Sequence, residues 1–468
     1  MATILGANEI KSTGYDVANS LRFNDGDSAY LHFTPSSAGN RRTMTLSVWF
    51  KGASLADGTN NILGQYNSSN ENNSMLLTIE SNGRIMVWNY TTSAYTMNLR
   101  TNALLLDPSA WYHVVVAVDT TQATESNRVK IYLNGTQQTS FSASTYPSQN
   151  LELFMNQDKA QNIGTQRYGS TVGSPFDGYM AEFAFIDGTQ YAASDFGEFD
   201  EDSPNIWKPK DISELTFGTN GYYLDFEDSG SLGNDVSGNN NDFTPVNFAA
   251  TDQSTDTCTN NFATLNPQIF EDGAITYSEG NLKAVAGSGS ASWTTRYAFS
   301  SIGVSSGRWY VEGKCVDSGV GPQQFYFGIA KDVETWSFNS SLGYEDTGQG
   351  WGYYANDGNI VNNGSDLYTS GNSYTDGDII GMELDLEDMT LDFYKNGVKE
   401  GYQVTSLPAG TYHFAINGYQ AIDGEFNFGS PPHAISSGNS DGNGYGNFEY
   451  SVPSGHYALN TKNLAQYG

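Results

Sequence analysis

A chain of 468 residues with a formal net charge of −31 repels phosphate backbones and anionic bilayers, which excludes nucleic acid and membrane insertion as partners. Aromatic residues make up 13% of it, and Gly numbers 51 against 21 Lys plus Arg; this mixture excludes disorder and points to an all-β chain rich in turns. Two cysteines, Cys258 and Cys315, are too few for a disulfide framework, and a single bridge between them stays open.

Residues 1–10 lack a basic stretch followed by an apolar run, so no secretory leader is expected. Leu21 and Phe23 alternate with polar neighbours, the turn Asn24-Asp25-Gly26-Asp27 follows, and Tyr30, Leu31 and Phe33 resume the alternation, which predicts a hairpin. Residues 44–50 (MTLSVWF) form a further alternating strand. Residues 75–79 and 84–88 flank Ser81-Asn82-Gly83, a second hairpin. Residues 111–119 (WYHVVVAVD) are nearly continuously apolar, as in a strand buried on both faces. Residues 129–133 end at Asn134-Gly135, and residues 176–186 (FDGYMAEFAFI) complete this part.

In this order the pieces resemble the laminin-G-like, concanavalin A-like family, over roughly residues 15–200. The resemblance implies a jelly-roll sandwich of two antiparallel sheets. Residues 205–265 follow as a connector rich in Asn, Asp, Thr and Gly; an edge strand completing a neighbouring sheet is the alternative.

Residues 266–432 carry a second series. Ser306-Gly307-Arg308-Trp309-Tyr310-Val311-Glu312 turns into a strand, and QFYFGIA spans 324–330. WGYYANDGNIVNNG spans 351–364, a long hairpin with a following Asn-Gly spans 376–397, and EFNFG closes at 429. These five motifs resemble the SPRY family in order and spacing, which implies a bent β-sandwich that binds partners through loops and has no general catalytic residues. Residues 433–468 read as an extended C-terminal arm, packed back or meeting a partner subunit. No 3.6-residue periodicity persists over ten residues, so no helix of normal length is expected. The fold class is therefore all-β: two antiparallel sandwiches, at 1–204 and 266–432.

Three constellations point to chemistry. Glu383, Asp385 and Glu387 share a face if all three lie on one strand, the arrangement of retaining glycosidases; the competing reading is the solvent face of a SPRY hairpin, so no catalytic residue is assigned. Asn24, Asp25 and Asp27 form an oxygen-rich loop that suits a structural Ca2+, and residues 195–202 and 225–242 are similar. Trp336, Trp351, Tyr353, Tyr354, Asn356 and Asp357 combine aromatic platforms with polar groups, as a sugar site does; Trp88, Tyr90 and Tyr95 offer the same in the N-terminal part. For each tryptophan the competing reading is core packing.

The order of modules also resembles virion proteins of tailed phages, notably marine ones: tail fibres, spikes and capsid-attached fibres. That implies a non-enzymatic adhesin on the virion, assembled in the host cytoplasm, that binds a host surface glycan or receptor. The alternatives are a structural decoration protein contacting other virion proteins, or a polysaccharide-cleaving enzyme. A homo-oligomer, as a trimer, is expected for a fibre.

Overall fold

The computed structural model describes residues 14–53, 55, 58–67, 73–92, 94–169, 171–269, 275–286, 296–316, 324–336, 340–345, 347–418 and 422–468. The leader reading of residues 1–10 lies outside them. The chain divides into a first unit that ends at Asn261 and a second that runs from Phe262 to Gly468. Both are antiparallel β-sandwiches, as the alternation predicts.

In the first unit, one sheet runs Thr136–Gln137, Val129–Leu133, Tyr112–Asp119, Thr43–Gly52, Gly178–Asp187, Ser20–Phe23 and Gln253–Ser254. The facing sheet runs Phe141–Thr145, Ala94–Leu104, Arg84–Thr91, Ser74–Ile79, Asn60–Tyr66, Gln161–Ile163, Tyr30–Phe33 and Thr244–Val246. Leu46, Val48 and Phe50 from the first meet Leu63, Leu77, Val87 and Leu99 from the second in one core. The turn Asn134-Gly135 has positive φ at both residues (45° and 76°), as a two-residue hairpin requires.

Two expectations are corrected here. The strands Ser20–Phe23 and Tyr30–Phe33 do not pair with each other: they belong to opposite sheets, and the turn at 24–27 carries the chain across the sandwich. Residues 205–261 are not a free connector either. Tyr222–Leu224 pairs with Gly178–Asp187, Thr244–Val246 with Tyr30–Phe33, and Gln253–Ser254 with Ser20–Phe23, so the edge-strand alternative holds. Phe196, Trp207, Ile212, Phe217 and Cys258 cover the outer face of the first sheet, against Trp49, Trp111 and Val115. That is why 111–119 reads as continuously apolar: Val114, Val116 and Val118 face the main core while Val115 faces this second layer.

In the second unit, one sheet runs Thr276–Ser278, Lys283–Ala286, Ile422–Asn427, Arg308–Cys315, Ile379–Asp385, Thr390–Lys395 and Val398–Thr405; the other runs Tyr297–Phe299, Tyr412–Gly418, Phe325–Lys331, Gly350–Tyr354, Ile360–Asn362 and Ser365–Tyr368. Trp309, Val311, Phe327, Met382, Phe393 and Phe426 fill the space between them. The C-terminal arm packs back on this unit. Tyr457–Ala458 pairs in parallel with Arg308–Cys315, Phe448 and Ala458 pack on Phe262 and Tyr310, and the helix Thr461–Tyr467 is capped by the Asn460 side chain accepting from the Asn463 N–H (2.9 Å). This arm is held by the Glu312 carboxylate, which accepts from the N–H groups of Glu449 (2.9 Å) and Tyr450 (2.8 Å). Cys258 and Cys315 are both buried thiols, not a disulfide.

Candidate functional site

The structure separates the aromatic residues of the second unit from any surface platform. On Gly350–Tyr354, Trp351 and Tyr353 point into the main core, Trp351 5.9 Å from Tyr412. The Tyr353 hydroxyl donates to Glu400 Oε1 at 2.9 Å. Trp336 is buried on the opposite face, 6.0 Å from both Tyr297 and Phe299. Tyr354 is half-buried and stacks on Tyr326 at 4.5 Å. Only Asn356 and Asp357 stand exposed, in a turn where Asp357 accepts from the Asn359 N–H (3.0 Å). The residue types suited a sugar site, but strand phase sends the rings inward. Trp336, Trp351 and Tyr353 are therefore packing residues, as the competing reading has it.

The acidic loop at 24–27 is braced by its own side chains. Asn24 Oδ1 accepts from the Gly26 N–H (3.2 Å), and Asn24 Nδ2 donates to Asp27 Oδ2 (3.0 Å). The amide thus turns its donor toward Asp27. Asp25 instead lines a polar cavity of about 270 Å³ with Thr59, Ser174 and Asp177. Among the described residues no three His, Cys, Asp or Glu side chains converge as metal ligands. The other two acidic loops are turns of the same kind: Asp200 accepts from the Asp202 and Ser203 N–H groups, and Asp235 from those of Tyr223, Ser237 and Asn241. Within the named loop Asn24 and Asp27 are bonded to each other, and Asp25 faces the cavity.

The three carboxylates at 383–387 do not share a face either. The strand ends at Asp385, whose Oδ1 accepts from the Glu387 and Asp388 N–H groups (2.9 and 2.8 Å), so Glu387 falls in the turn. Asp385 pairs with Arg308 Nε at 2.9 Å. Glu383 accepts from the Tyr394 hydroxyl and lies 3.4 Å from His456 Nε2. The C-terminal arm, not solvent, covers this face.

A platform does exist on the first unit. Trp88 and Tyr90 lie on the outward phase of Arg84–Thr91, because Ile85 and Val87 take the inward one. Tyr95 stands opposite Tyr90, and Asn98 opposite Trp88. The three rings meet edge to face, with centroids 5.1 Å (Tyr90–Tyr95), 5.8 Å (Trp88–Tyr95) and 6.4 Å (Trp88–Tyr90) apart. Tyr95 is 48% exposed. Polar groups flank the trio: Thr96 and Asn98 on the neighbouring strand, and Arg100 paired with Glu80 at 2.9 Å. The alternation of 84–91 already carried this signal, since it puts both rings on the phase opposite Ile85 and Val87.

The architecture is that of two antiparallel β-sandwich modules of the binding type. Residues 25–193 match the family described as the concanavalin A-like lectin/glucanases superfamily, of laminin-G type, and residues 308–431 match the SPRY domain. The Ran-binding proteins 9/10 homolog of Drosophila melanogaster is 29% identical over 145 residues, which is 31% of this chain; the chain spans 14% of that relative's length. The solved SPRY domain of human HERC1 is 26% identical, with a TM-score of 0.29, over 35% of this chain and 94% of that one. A heptameric SAP-like pentraxin from Limulus polyphemus is 13% identical, with a TM-score of 0.29, over 38% and 80% respectively.

Proposed function

We propose that this chain is a non-enzymatic adhesin whose first sandwich binds glycans on the Trp88–Tyr90–Tyr95 face. The supporting observation is the ring trio itself: three aromatic side chains grouped on an outer sheet face, one of them half exposed, with amide, hydroxyl and guanidinium groups alongside. Ring faces stack on the apolar faces of sugars, and the polar neighbours meet the hydroxyls. A non-catalytic reading is supported by the engagement of Glu383 and Asp385 within the fold. The virion setting rests on the resemblance in module order, and a trimer would suit it by multiplying weak single-site binding.

Glycan-array binding of the full chain, beside Trp88→Ala and Tyr95→Ala, tests the reading. An anchor aromatic contributes on the order of 1–2 kcal/mol, so each variant is expected to lose roughly five- to thirtyfold in affinity. Binding that survives both substitutions unchanged overturns the assignment of the face; absence of binding to any glycan overturns the adhesin reading.

A further inference from the structure

The strand Thr43–Gly52 places Lys51 on the same face as Trp49, under the layer that residues 193–261 lay over the outer face of the first unit's first sheet. Lys51 is 1% exposed. Its Nζ donates to Asn261 Oδ1 at 2.9 Å, touches the Asp256 carboxylate, and lies 5.0 Å from the centre of the Tyr179 ring. Asp256 is equally buried, and its Oδ1 accepts from Trp111 Nε1 at 3.1 Å. Asn261 is held the other way round: its Nδ2 donates to the Ser109 carbonyl at 2.8 Å, which turns the amide oxygen to the amine. A primary amine, a side-chain amide and a carboxyl group thus converge beneath that layer, away from solvent.

We infer that Lys51 and Asn261 are joined by an intramolecular isopeptide bond, formed by the chain itself with Asp256 as the proton-transfer group. Burial pulls the Lys51 amine below its ordinary range, with Asp256 acting against it; the neutral amine so favoured is the nucleophile. Its lone pair attacks Cγ of Asn261. Asp256 takes the proton that the amine sheds and passes it to Nδ2. The Cγ–Nδ2 bond breaks, ammonia leaves, and the Nζ–Cγ amide remains. No oxidant or cofactor is needed. Fixed proximity supplies the rate, and the product replaces a buried amine and amide by one neutral group, removing the cost of holding a charge out of water.

The link would join residues 210 apart in sequence. Tension entering before residue 51 and leaving after 261 would bypass everything between, including Trp88, Tyr90 and Tyr95. That use rests on the adhesin reading; the bond does not.

The test is the intact mass of the full-length chain under denaturing conditions, followed by a peptide map. The expected result is a mass one ammonia below that of the sequence, with a branched peptide joining Lys51 to Asn261. Lys51→Arg and Asn261→Ala should give their full sequence masses, and the second keeps the Lys51–Asp256 pair. The wild-type measurement stands even if a variant fails to fold. A wild-type chain at full sequence mass overturns the inference. So does ammonia loss without a branched peptide, and so does loss of water with the branch at Asp256. None of these outcomes depends on glycan binding.

Discussion

His113 should make the first unit acid-labile. Its ring is fully buried, stacked on Trp49 at 4.6 Å and beside Trp207 at 6.0 Å. Trp207 Nε1 is a donor only, so the 2.9 Å contact makes His113 Nδ1 an acceptor. The proton therefore sits on Nε2, which donates to Ser47 Oγ at 2.8 Å. Nδ1, the only nitrogen left to take a proton, already accepts from Trp207, and burial drags the pKa down to about 3 from 6.5. The unfolded chain takes up its proton near pH 6.5 while the folded one refuses it. The His113 contribution to stability is whole above pH 6.5, falls as pH drops below it, and levels off near pH 3. At about 1.4 kcal/mol per pH unit, roughly 2 kcal/mol is gone by pH 5 and on the order of 5 kcal/mol by pH 3. The assay is urea-dependent peroxide oxidation of Met97 and Met180, core residues of the same unit, read by peptide mass at pH 7 and pH 5. His113→Gln should be less stable at pH 7 but should lose this part of the pH slope. Equal slopes in wild type and variant would refute the reasoning.

Glu182 should act in the opposite direction. Burial pushes its carboxyl up to about 8, Asp225 and Glu227 add to this, and the Tyr223 hydroxyl (2.6 Å) works against it. With the folded pKa raised, stability present at acid pH drains away as pH rises from 4.5 to 8, by about 3 kcal/mol at pH 7. Glu182→Gln should flatten that part of a thermal-melt profile, and an unchanged profile would sink the claim. Glu312→Ala strips the acceptor from the Glu449 and Tyr450 N–H groups, at about 2 kcal/mol; limited proteolysis should then cut within residues 436–450 sooner, whereas unchanged protection would mean the arm is held otherwise. Glycan binding at Trp88, Tyr90 and Tyr95 should vary little with salt, since the nearby Arg100 already pairs with Glu80; a steep dependence in titrations would move the contact elsewhere.

Much of the fold was legible in the chain. Alternation at 44–50 and 84–91 and the Asn-Gly turns at 134–135 and 396–397 are local signals, and positive φ at each of those four turn residues bears out the turns. Strand pairing was less so: 20–23 and 30–33 look like a hairpin because nothing in a turn sequence says which sheet the chain enters next. The aromatic site failed for a related reason. Trp351 and Tyr353 share a face two residues apart, but which face is inward depends on partners far along the chain, here Tyr412 and Phe393. Residues 251–261 hid best. Their Thr, Asp and Asn look like linker, yet Asp256, Thr259 and Asn261 are buried because Lys51, Val17 and Ser109 satisfy them, and such pairwise matches leave no mark in composition.

The same physics revises what the acidity means. A net charge of −31 invites the picture of a uniformly charged shell, but Asp256, Glu312, Asp385, Asp392, Glu400 and Asp441 are all buried. Several do one job: they accept N–H groups of segments that lie over a sheet without a full strand ladder. Asp441 accepts from Asn443, Tyr445 and Ala458, as Glu312 does from Glu449 and Tyr450. A segment that crosses a sheet face has peptide donors with no ladder partner, and burial makes leaving them unpaired costly. A carboxylate offers two oxygens and about four acceptor sites in the least space. In the second unit, then, carboxylates hold the C-terminal arm, and part of the acidity read as surface charge belongs to the interior architecture.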